Sequence, residues 1–260
     1  MSNEPKSTNA TTKTINNLTF YAAGSVSGIM EVLTTHPIDV IKTKIQQMAS
    51  QNKTFNIKNI TGVKYLYSGF QYRLIGIVPM RGIYWGTLDM SSRLLINTIP
   101  NKNKRLIIAG IIAGTAQTVV DAPIEYMKTQ QITSSNVLKF SNLFSNLKFR
   151  GFGPTLMRNS KFAGIFNVTA NTNYLPVDNT IVKYGFAGLT ASLLTQPYDY
   201  YKTLVQTYPN TSISKIRIEV YSAVQKNIFV LWKGGLSRSI LGCCTMGIGG
   251  FVYKTIINLS

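Results

Sequence analysis

The strongest constraint on the fold is a short motif that occurs three times along the chain. In each copy a proline is followed two residues later by an acid and three residues after that by a lysine. The copies are Pro37-Ile38-Asp39-Val40-Ile41-Lys42, Pro123-Ile124-Glu125-Tyr126-Met127-Lys128 and Pro197-Tyr198-Asp199-Tyr200-Tyr201-Lys202. They lie further apart than the roughly 20 to 50 residues of a solenoid repeat, so each copy belongs to a separate small module.

Glycines recur at fixed distances from these prolines and support the same threefold division. Nine residues before each proline stands a glycine, at Gly28, Gly114 and Gly188. Further along, an aromatic residue precedes a second glycine, in Tyr67-Ser68-Gly69, Phe149-Arg150-Gly151 and Trp232-Lys233-Gly234. We therefore predict a polar, disordered tail followed by three repeats, with boundaries at residues 1–14, 15–100, 101–176 and 177–260.

Composition favours a membrane protein over a soluble binder of nucleic acid. The chain has 27 Lys and Arg against 9 Asp and Glu, a formal net charge of +18, which indicates an anionic partner. Only 14% of residues are charged and 45% are hydrophobic, however, which suits a polytopic bilayer protein. A basic helical nucleic-acid-binding protein remains the more remote alternative. Salt would release such a protein from membranes, whereas an integral membrane protein requires detergent. The polar start of the chain lacks the apolar stretch of a signal peptide.

The apolar segments predict an all-α membrane protein in which each repeat is a helical hairpin. The helices are expected near residues 18–47, 69–95, 105–131, 151–174, 180–207 and 234–258. Few of them are cleanly apolar, but a helix that faces a water-filled cavity can carry polar groups on that side. The basic connectors within the hairpins, residues 51–64, 134–148 and 211–226, are expected to hold short surface helices on one side of the membrane.

The repeated motif predicts charge pairing at a common depth in the membrane. Proline inside a helix removes a hydrogen bond, so we expect kinks at Pro37, Pro123 and Pro197. Three acids and three lysines at matching depth can neutralise one another as a ring. The alternative is that each acid pairs with the lysine three residues along its own helix.

At these residues the chain resembles the mitochondrial carrier family, whose signature is Pro-x-acid-x-x-basic followed later by aromatic-basic-Gly. The resemblance implies six transmembrane helices in three pseudo-symmetric repeats around a central cavity, with short matrix helices. It also implies a matrix-side gate made of Asp39 with Lys128, Glu125 with Lys202 and Asp199 with Lys42. Gln46 and Gln206 would brace this gate, whereas Ile132 at the corresponding position cannot.

The resemblance further implies bound cardiolipin at helix N-termini, where free amides and the helix dipole favour phosphate. The expected positions are Gly62, Gly69, Gly151 and Gly234. The family's second gate, at the cytoplasmic end, is eroded here, and Leu88-Asp89-Met90-Ser91-Ser92-Arg93 is its nearest remnant. We expect closure on that side to be weaker.

Substrate contacts are implied seven residues past the aromatic-basic-Gly glycines, at Gly76, Arg158 with Asn159, and Leu241. Arg158 is the anion-binding candidate, because a guanidinium presents a fork to carboxylate or phosphate. Arg81 and Lys161 lie further along the same helices, and with Arg73 and Arg238 they predict a strongly positive cavity. That charge places nucleotides, including deoxynucleotides, slightly ahead of carboxylates and other organic anions, although Arg158 followed by a polar residue resembles the carboxylate carriers.

The remaining inferences complete the functional expectation. We predict a monomeric, multi-pass antiporter of the mitochondrial inner membrane that exchanges a small anionic metabolite by alternating access. The sequence does not indicate an enzyme, a cofactor, a metal site or a nucleic-acid partner. Its one histidine, His36, has no companions for metal binding or a catalytic triad. Glu31 is an intramembrane acid and is therefore a candidate cavity residue or proton-coupling group.

Overall fold

The computed structural model describes residues 17–50, 62–134, 151–172 and 177–259, and this part of the chain is helical, without a strand. The helices are α1 Asn17–Ser50, α2 Val63–Leu66, α3 Phe70–Leu94, α4 Lys102–Ser134, α5 Phe152–Asn171, α6 Thr180–Leu194, α7 Gln196–Thr207, α8 Ile213–Lys226 and α9 Gly235–Leu259. The predicted tail and most of the first two connectors lie outside the described residues. In the third connector α8 forms the expected short helix, with the Ser212 side chain accepting from the Lys215 amide at its start.

The long helices close into a ring. α3 packs against α1 and α4, α5 packs against α4 and α6, and α9 packs against α6 and α1. Each repeat therefore contributes one antiparallel hairpin, and every hairpin contacts the two others. The six predicted spans match these helices to within a few residues, except in the third repeat.

Glycines allow the close helix contacts within each hairpin. A methyl group at Gly114 of α4 would lie 2.8 Å from the Ala163 Cβ of α5, and one at Gly188 of α6 would lie 2.7 Å from the Met246 Cβ of α9. Gly28 of α1 makes the equivalent approach to Arg81 and Ile77 of α3. Contacts of this kind between small residues let helix backbones pack tightly in lipid.

The three prolines act in two different ways. Pro37 and Pro123 lie inside the continuous helices α1 and α4. In the third repeat the expected single helix is instead two, because α6 ends at Leu194 and α7 begins at Gln196 with Pro197 in its first turn. The prediction of a kinked helix over residues 180–207 was wrong in this respect, since proline is well tolerated in a first turn and ends the preceding helix.

Polar and apolar side chains are distributed as expected for a bilayer protein with a polar interior. Large apolar side chains such as Ile75, Val119 and Phe186 are exposed on the outside of the ring, while acids, lysines and arginines are buried inside it. Two described stretches, Lys102–Gln130 and Ile228–Leu259, are long and apolar enough to cross a membrane.

Candidate functional site

The acids and lysines of the repeated motif meet in the middle of the helix ring. We call these six residues the charge ring, and its pairs are Asp39 with Lys128, Glu125 with Lys202, and Asp199 with Lys42. The lysine nitrogen lies 2.6 Å from the carboxylate oxygen in the first pair and 2.7 Å from it in the third. All six side chains are buried. Each pair joins two different repeats, so the ring ties the three hairpins together at one level.

Pairing within a helix also occurs in the second repeat. The Lys128 nitrogen lies 3.2 Å from Glu125, three residues earlier on α4, as well as 2.6 Å from Asp39 on α1. The two kinds of pairing that the sequence left open therefore coexist at this lysine. The contact to another repeat is the shorter one.

Gln206, one of the two residues expected to brace the ring, contacts the residues next to Lys128. Gln206 is fully buried, and its side-chain oxygen accepts a hydrogen bond from Thr129 at 3.4 Å. Gln130 donates to the backbone carbonyl of Gln206. These bonds tie α7 to α4 next to Lys128. The side chain of Gln46 lies outside the described part of the structure.

A central cavity of about 110 Å³ adjoins the charge ring. Its charged lining consists of Glu31, Asp39, Asp121, Glu125 and Asp199 with Lys42, Arg73, Arg81, Arg158 and Arg238. The lining thus carries equal numbers of acids and bases. Lys128 and Lys202 also neutralise Asp39 and Glu125, so the interior has two more bases than acids. The expected strongly positive cavity was therefore wrong in degree, because buried acids accompany the arginines and the sequence does not show which charges face each other.

Arg158 links the cavity to the charge ring. Its guanidinium lies 3.0 Å from Glu125 and 3.3 Å from Asp199, which are acids of the ring, and 2.9 Å from Asp121 on the cavity side. The guanidinium also contacts the Asn159 side-chain oxygen at 2.6 Å. Because the side chain is only 13% exposed, Arg158 is an interior group and not an arginine that reaches a headgroup.

Asp121 is the cavity acid that sequence reasoning missed. One carboxylate oxygen accepts from Arg158 and from the Asn159 amide, each at 2.9 Å, and the other accepts from Arg73 at 3.3 Å. The residue stands two positions before Pro123, where the other repeats have Thr35 and Thr195. This departure from the repeat pattern was the available signal.

Glu31 and Arg81 form a second buried pair in the cavity. The guanidinium donates two hydrogen bonds to the carboxylate, at 2.9 and 2.5 Å. Such two-point bonds are among the stronger charge-assisted interactions in proteins. Of the two roles considered for Glu31, the geometry favours a cavity residue, and Arg81 is its partner in that position.

The other predicted substrate contacts divide between the cavity and its outside. Asn159 and Leu241 line the cavity. Gly76 does not, because it packs against the Ile124 side chain of α4 and supports the contact between repeats. Lys161 also lies outside, exposed on α5, with its ammonium 3.9 Å from the centre of the Tyr198 ring. The assignments of Gly76 and Lys161 to the cavity were therefore wrong, since each falls on another face of its helix.

At the opposite end of the helix ring from the charge ring, the contacts are an ion pair within one helix and packed aromatic side chains. Arg93 pairs with Asp89 at 2.8 Å on the same helix, and its side chain is 54% exposed. Aromatic rings pack nearby, with Trp85 stacked on Tyr253 at a centroid distance of 4.1 Å. The remnant of the second gate is therefore a local ion pair of α3.

The four glycines expected to bind lipid share one backbone conformation. Gly62, Gly69, Gly151 and Gly234 have φ between 76° and 86°, a left-handed region that disfavours other residues. Gly69, Gly151 and Gly234 directly precede α3, α5 and α9. The conformation explains why glycine occupies these positions.

Comparison with known proteins agrees with this architecture. A family model described as "Mitochondrial carrier protein" matches residues 13–98. The protein described as "Probable mitochondrial 2-oxodicarboxylate carrier" of Schizosaccharomyces pombe is 28% identical over 92% of this chain and 91% of its own length. The human "Mitochondrial glycine transporter" is 27% identical, over 73% of this chain and 72% of its own length. The "Mitochondrial aspartate-glutamate transporter" of Saccharomyces cerevisiae is 27% identical over 90% of this chain and 30% of its own length.

The helix ring, its polar interior and its central cavity define a membrane transport protein that carries a small solute. The threefold motif and the relatives specify it further. The chain matches the mitochondrial carrier family model over its first repeat and is similar over nine-tenths of its length to a mitochondrial carrier, a class of multi-pass transporters of the inner membrane.

Proposed function

We propose that this carrier exchanges a small carboxylate-bearing metabolite by alternating access, with the charge ring as its matrix-side gate. The observation that supports this most is the position of Arg158, which faces the cavity and contacts two acids of the ring. A buried guanidinium can hold a carboxylate through two parallel hydrogen bonds.

The contacts of Arg158 suggest how substrate binding is coupled to the gate. A substrate carboxylate that engages the guanidinium competes with Glu125 and Asp199 for the same nitrogens. The ring acids then lose a cationic neighbour, and the closed ring is stabilised less. A ligand shifts a conformational equilibrium only through such a difference in interaction between the two states.

Cavity size and the named substrates of the relatives support carboxylates as the first candidate, ahead of nucleotides. A volume of about 110 Å³ is below the roughly 300 to 1,000 Å³ of pockets for drug-sized ligands, and acids line the cavity beside the arginines. A nucleotide, with several negative charges, suits a positive cavity. The named substrates of the relatives, a 2-oxodicarboxylate, glycine, aspartate and glutamate, all contain a carboxylate. Nucleotides and deoxynucleotides are the second candidate, on the basis of the four arginines.

Exchange by the purified protein in liposomes tests this proposal. The panel contains labelled mono- and dicarboxylates, amino acids, phosphate, ribonucleotides and deoxynucleotides. We expect counter-exchange of at least one carboxylate, and Arg158→Ala should reduce it at least about a hundredfold, because a lost charged hydrogen-bonding partner costs about 3 kcal/mol. Lys161→Ala is the matched control on the same helix, and it should leave exchange unchanged because Lys161 lies outside the cavity.

Two results would contradict the proposal. Exchange of nucleotides without any carboxylate would reverse the order of the two candidates. Normal exchange by folded Arg158→Ala protein would show that this residue does not bind the substrate.

We also propose that cardiolipin binds at the N-termini of α3, α5 and α9, beside Gly69, Gly151 and Gly234, with Gly62 as a fourth contact. Unpaired amides at a helix start attract phosphate groups. A single chain already closes the helix ring, so we propose that the carrier acts as a monomer. Its mass in detergent, measured by light scattering with the lipid and detergent subtracted, tests that state, and a stable dimer would contradict it.

A further inference from the structure

We propose that Asp121 accepts the ammonium group of the substrate, so that the carrier selects amino acids over the corresponding 2-oxo acids. This inference rests on the proposed function, in which Arg158 binds the substrate carboxylate. It concerns the second group of the substrate, which Arg158 does not determine.

The three repeats are not equivalent at the level of Asp121. In the first repeat Thr35 donates to the Glu31 carbonyl of its own helix at 2.7 Å, and in the third Thr195 donates to the Ala191 carbonyl at 2.7 Å. Threonine at this level therefore satisfies its hydroxyl within the helix. The second repeat has an acid there instead, which places one extra negative charge on one side of the cavity.

Asp121 is separate from the charge ring. It stands one helical turn from Glu125, lines the cavity and is 2% exposed. Each ring acid has a lysine from another repeat, whereas the described contacts of Asp121 are with Arg73, Arg158 and Asn159. Asp121 and Glu31 are the two acids of the lining that lie outside the charge ring, and four arginines share the lining with them.

An α-amino acid can exchange partners with the Asp121–Arg158 pair. Its carboxylate and ammonium groups are on neighbouring carbon atoms, and the two side chains are in contact at 2.9 Å. When the substrate carboxylate takes the Arg158 nitrogen, an Asp121 oxygen loses a donor, and the substrate ammonium can replace it. The exchange keeps Arg158 paired and gives Asp121 a second cation beside Arg73, which matters because a buried charge that loses a partner is costly.

A 2-oxo acid of the same carbon skeleton cannot complete this exchange. It presents a carbonyl oxygen where the amino acid presents an ammonium group, and that oxygen would face the Asp121 carboxylate as a second acceptor. Rejection of a near-identical competitor by an unfavourable contact is a common source of specificity.

Matched substrate pairs test the inference in liposomes. The labelled probes are alanine with pyruvate and glutamate with 2-oxoglutarate, and the readout is the ratio of initial uptake rates within each pair, with KM for each member. We expect the wild-type protein to favour the amino acid in at least one pair. Asp121→Asn should lower that ratio about tenfold or more, mainly by raising KM for the amino acid, because hydrogen bonds to charged groups are the stronger ones.

Control variants separate loss of charge from loss of structure. Asp121→Thr introduces the residue of the other two repeats and should also lower the ratio, while Asp121→Glu keeps the charge and should retain the preference for the amino acid. Glu219→Gln removes an exposed acid of α8, which does not line the central cavity, and should leave the ratio unchanged. Thermal unfolding in detergent identifies variants that fail to fold.

The outcomes distinguish this inference from the proposed function. If both members of a pair are exchanged equally, or if folded Asp121→Asn and Asp121→Thr proteins keep the wild-type ratio, the role of Asp121 is refuted while a carboxylate carrier stands. If neither member of any pair is exchanged and nucleotides are, the proposed function fails and the inference fails with it.

Discussion

Exchanging the charges of Asp39 and Lys128 tests whether the ring holds the gate closed. The two groups are 2.6 Å apart and come from different repeats. Asp39→Lys leaves a second buried lysine against Lys128, and breaking a buried pair in this way costs about 3–5 kcal/mol. Glu125, 3.2 Å from Lys128, compensates part of the loss, so we expect about 3 kcal/mol. That shifts the equilibrium between closed and open gates about a hundredfold.

The double variant Asp39→Lys with Lys128→Asp restores an opposite pair across the same two helices. Recovery should be partial, because the new acid at position 128 stands beside Glu125 on α4. Like charges at this spacing repel each other. We therefore expect the double variant to lie between the wild type and either single variant.

Labelling of a cysteine introduced at Thr35 measures the open gate without knowledge of the substrate. Thr35 lines the cavity and is 4% exposed. A membrane-impermeant thiol reagent applied on the side of the membrane that the charge ring closes therefore reaches this position only when the charge ring is open. Cys243 and Cys244 are replaced by serine beforehand. We expect faster labelling in each single variant and slower labelling in the double variant. If the double variant labels as fast as the singles while its unfolding temperature is normal, the reasoning is refuted.

Two further predictions concern glycines. Gly114→Ala places a methyl group 2.8 Å from the Ala163 Cβ and should lower the free energy of unfolding, measured by melting in detergent, by about 1–3 kcal/mol. Gly153→Ala is the control, because its methyl group meets no atom within 4 Å and should not lower the free energy of unfolding. Cardiolipin should raise the unfolding temperature more than phosphatidylcholine does. Gly151→Ala, which strains a backbone with φ +83°, should reduce that shift relative to Gly153→Ala.

A separate result would contradict each of the two glycine predictions. Equal melts for Gly114→Ala and Gly153→Ala would mean that the α4–α5 contact tolerates an added methyl group. A cardiolipin shift that is the same with and without the Gly151 substitution would remove that glycine from the proposed lipid contacts.

The threefold motif allowed the three-hairpin architecture and the charge ring to be predicted from the sequence. Repetition fixed the number of hairpins, and the proline spacing put three acids and three lysines at one depth, where pairing between repeats is the natural outcome. The motif did not predict the structure at the third proline, Pro197. There the helix divides at Thr195, a choice between kink and break that depends on local packing.

The sequence did not predict which side chains face each other inside the cavity. Lys161 and Arg158 are both cationic and close in sequence, but only Arg158 faces inward, because the rotation of α5 about its axis is set by packing against α4. The pairing of Glu31 with Arg81 joins residues of different helices and follows no repeat. Asp121 was detectable only as an exception to the repeat.

An experimental structure of the carrier in a lipid nanodisc tests the charge ring most directly. With the cavity closed on one side, we expect each acid of the charge ring to lie within about 4 Å of a lysine from another repeat, as in Asp39 with Lys128. A structure in which Asp39, Glu125 and Asp199 point towards lipid, or stand apart from those lysines while that side is closed, would contradict it.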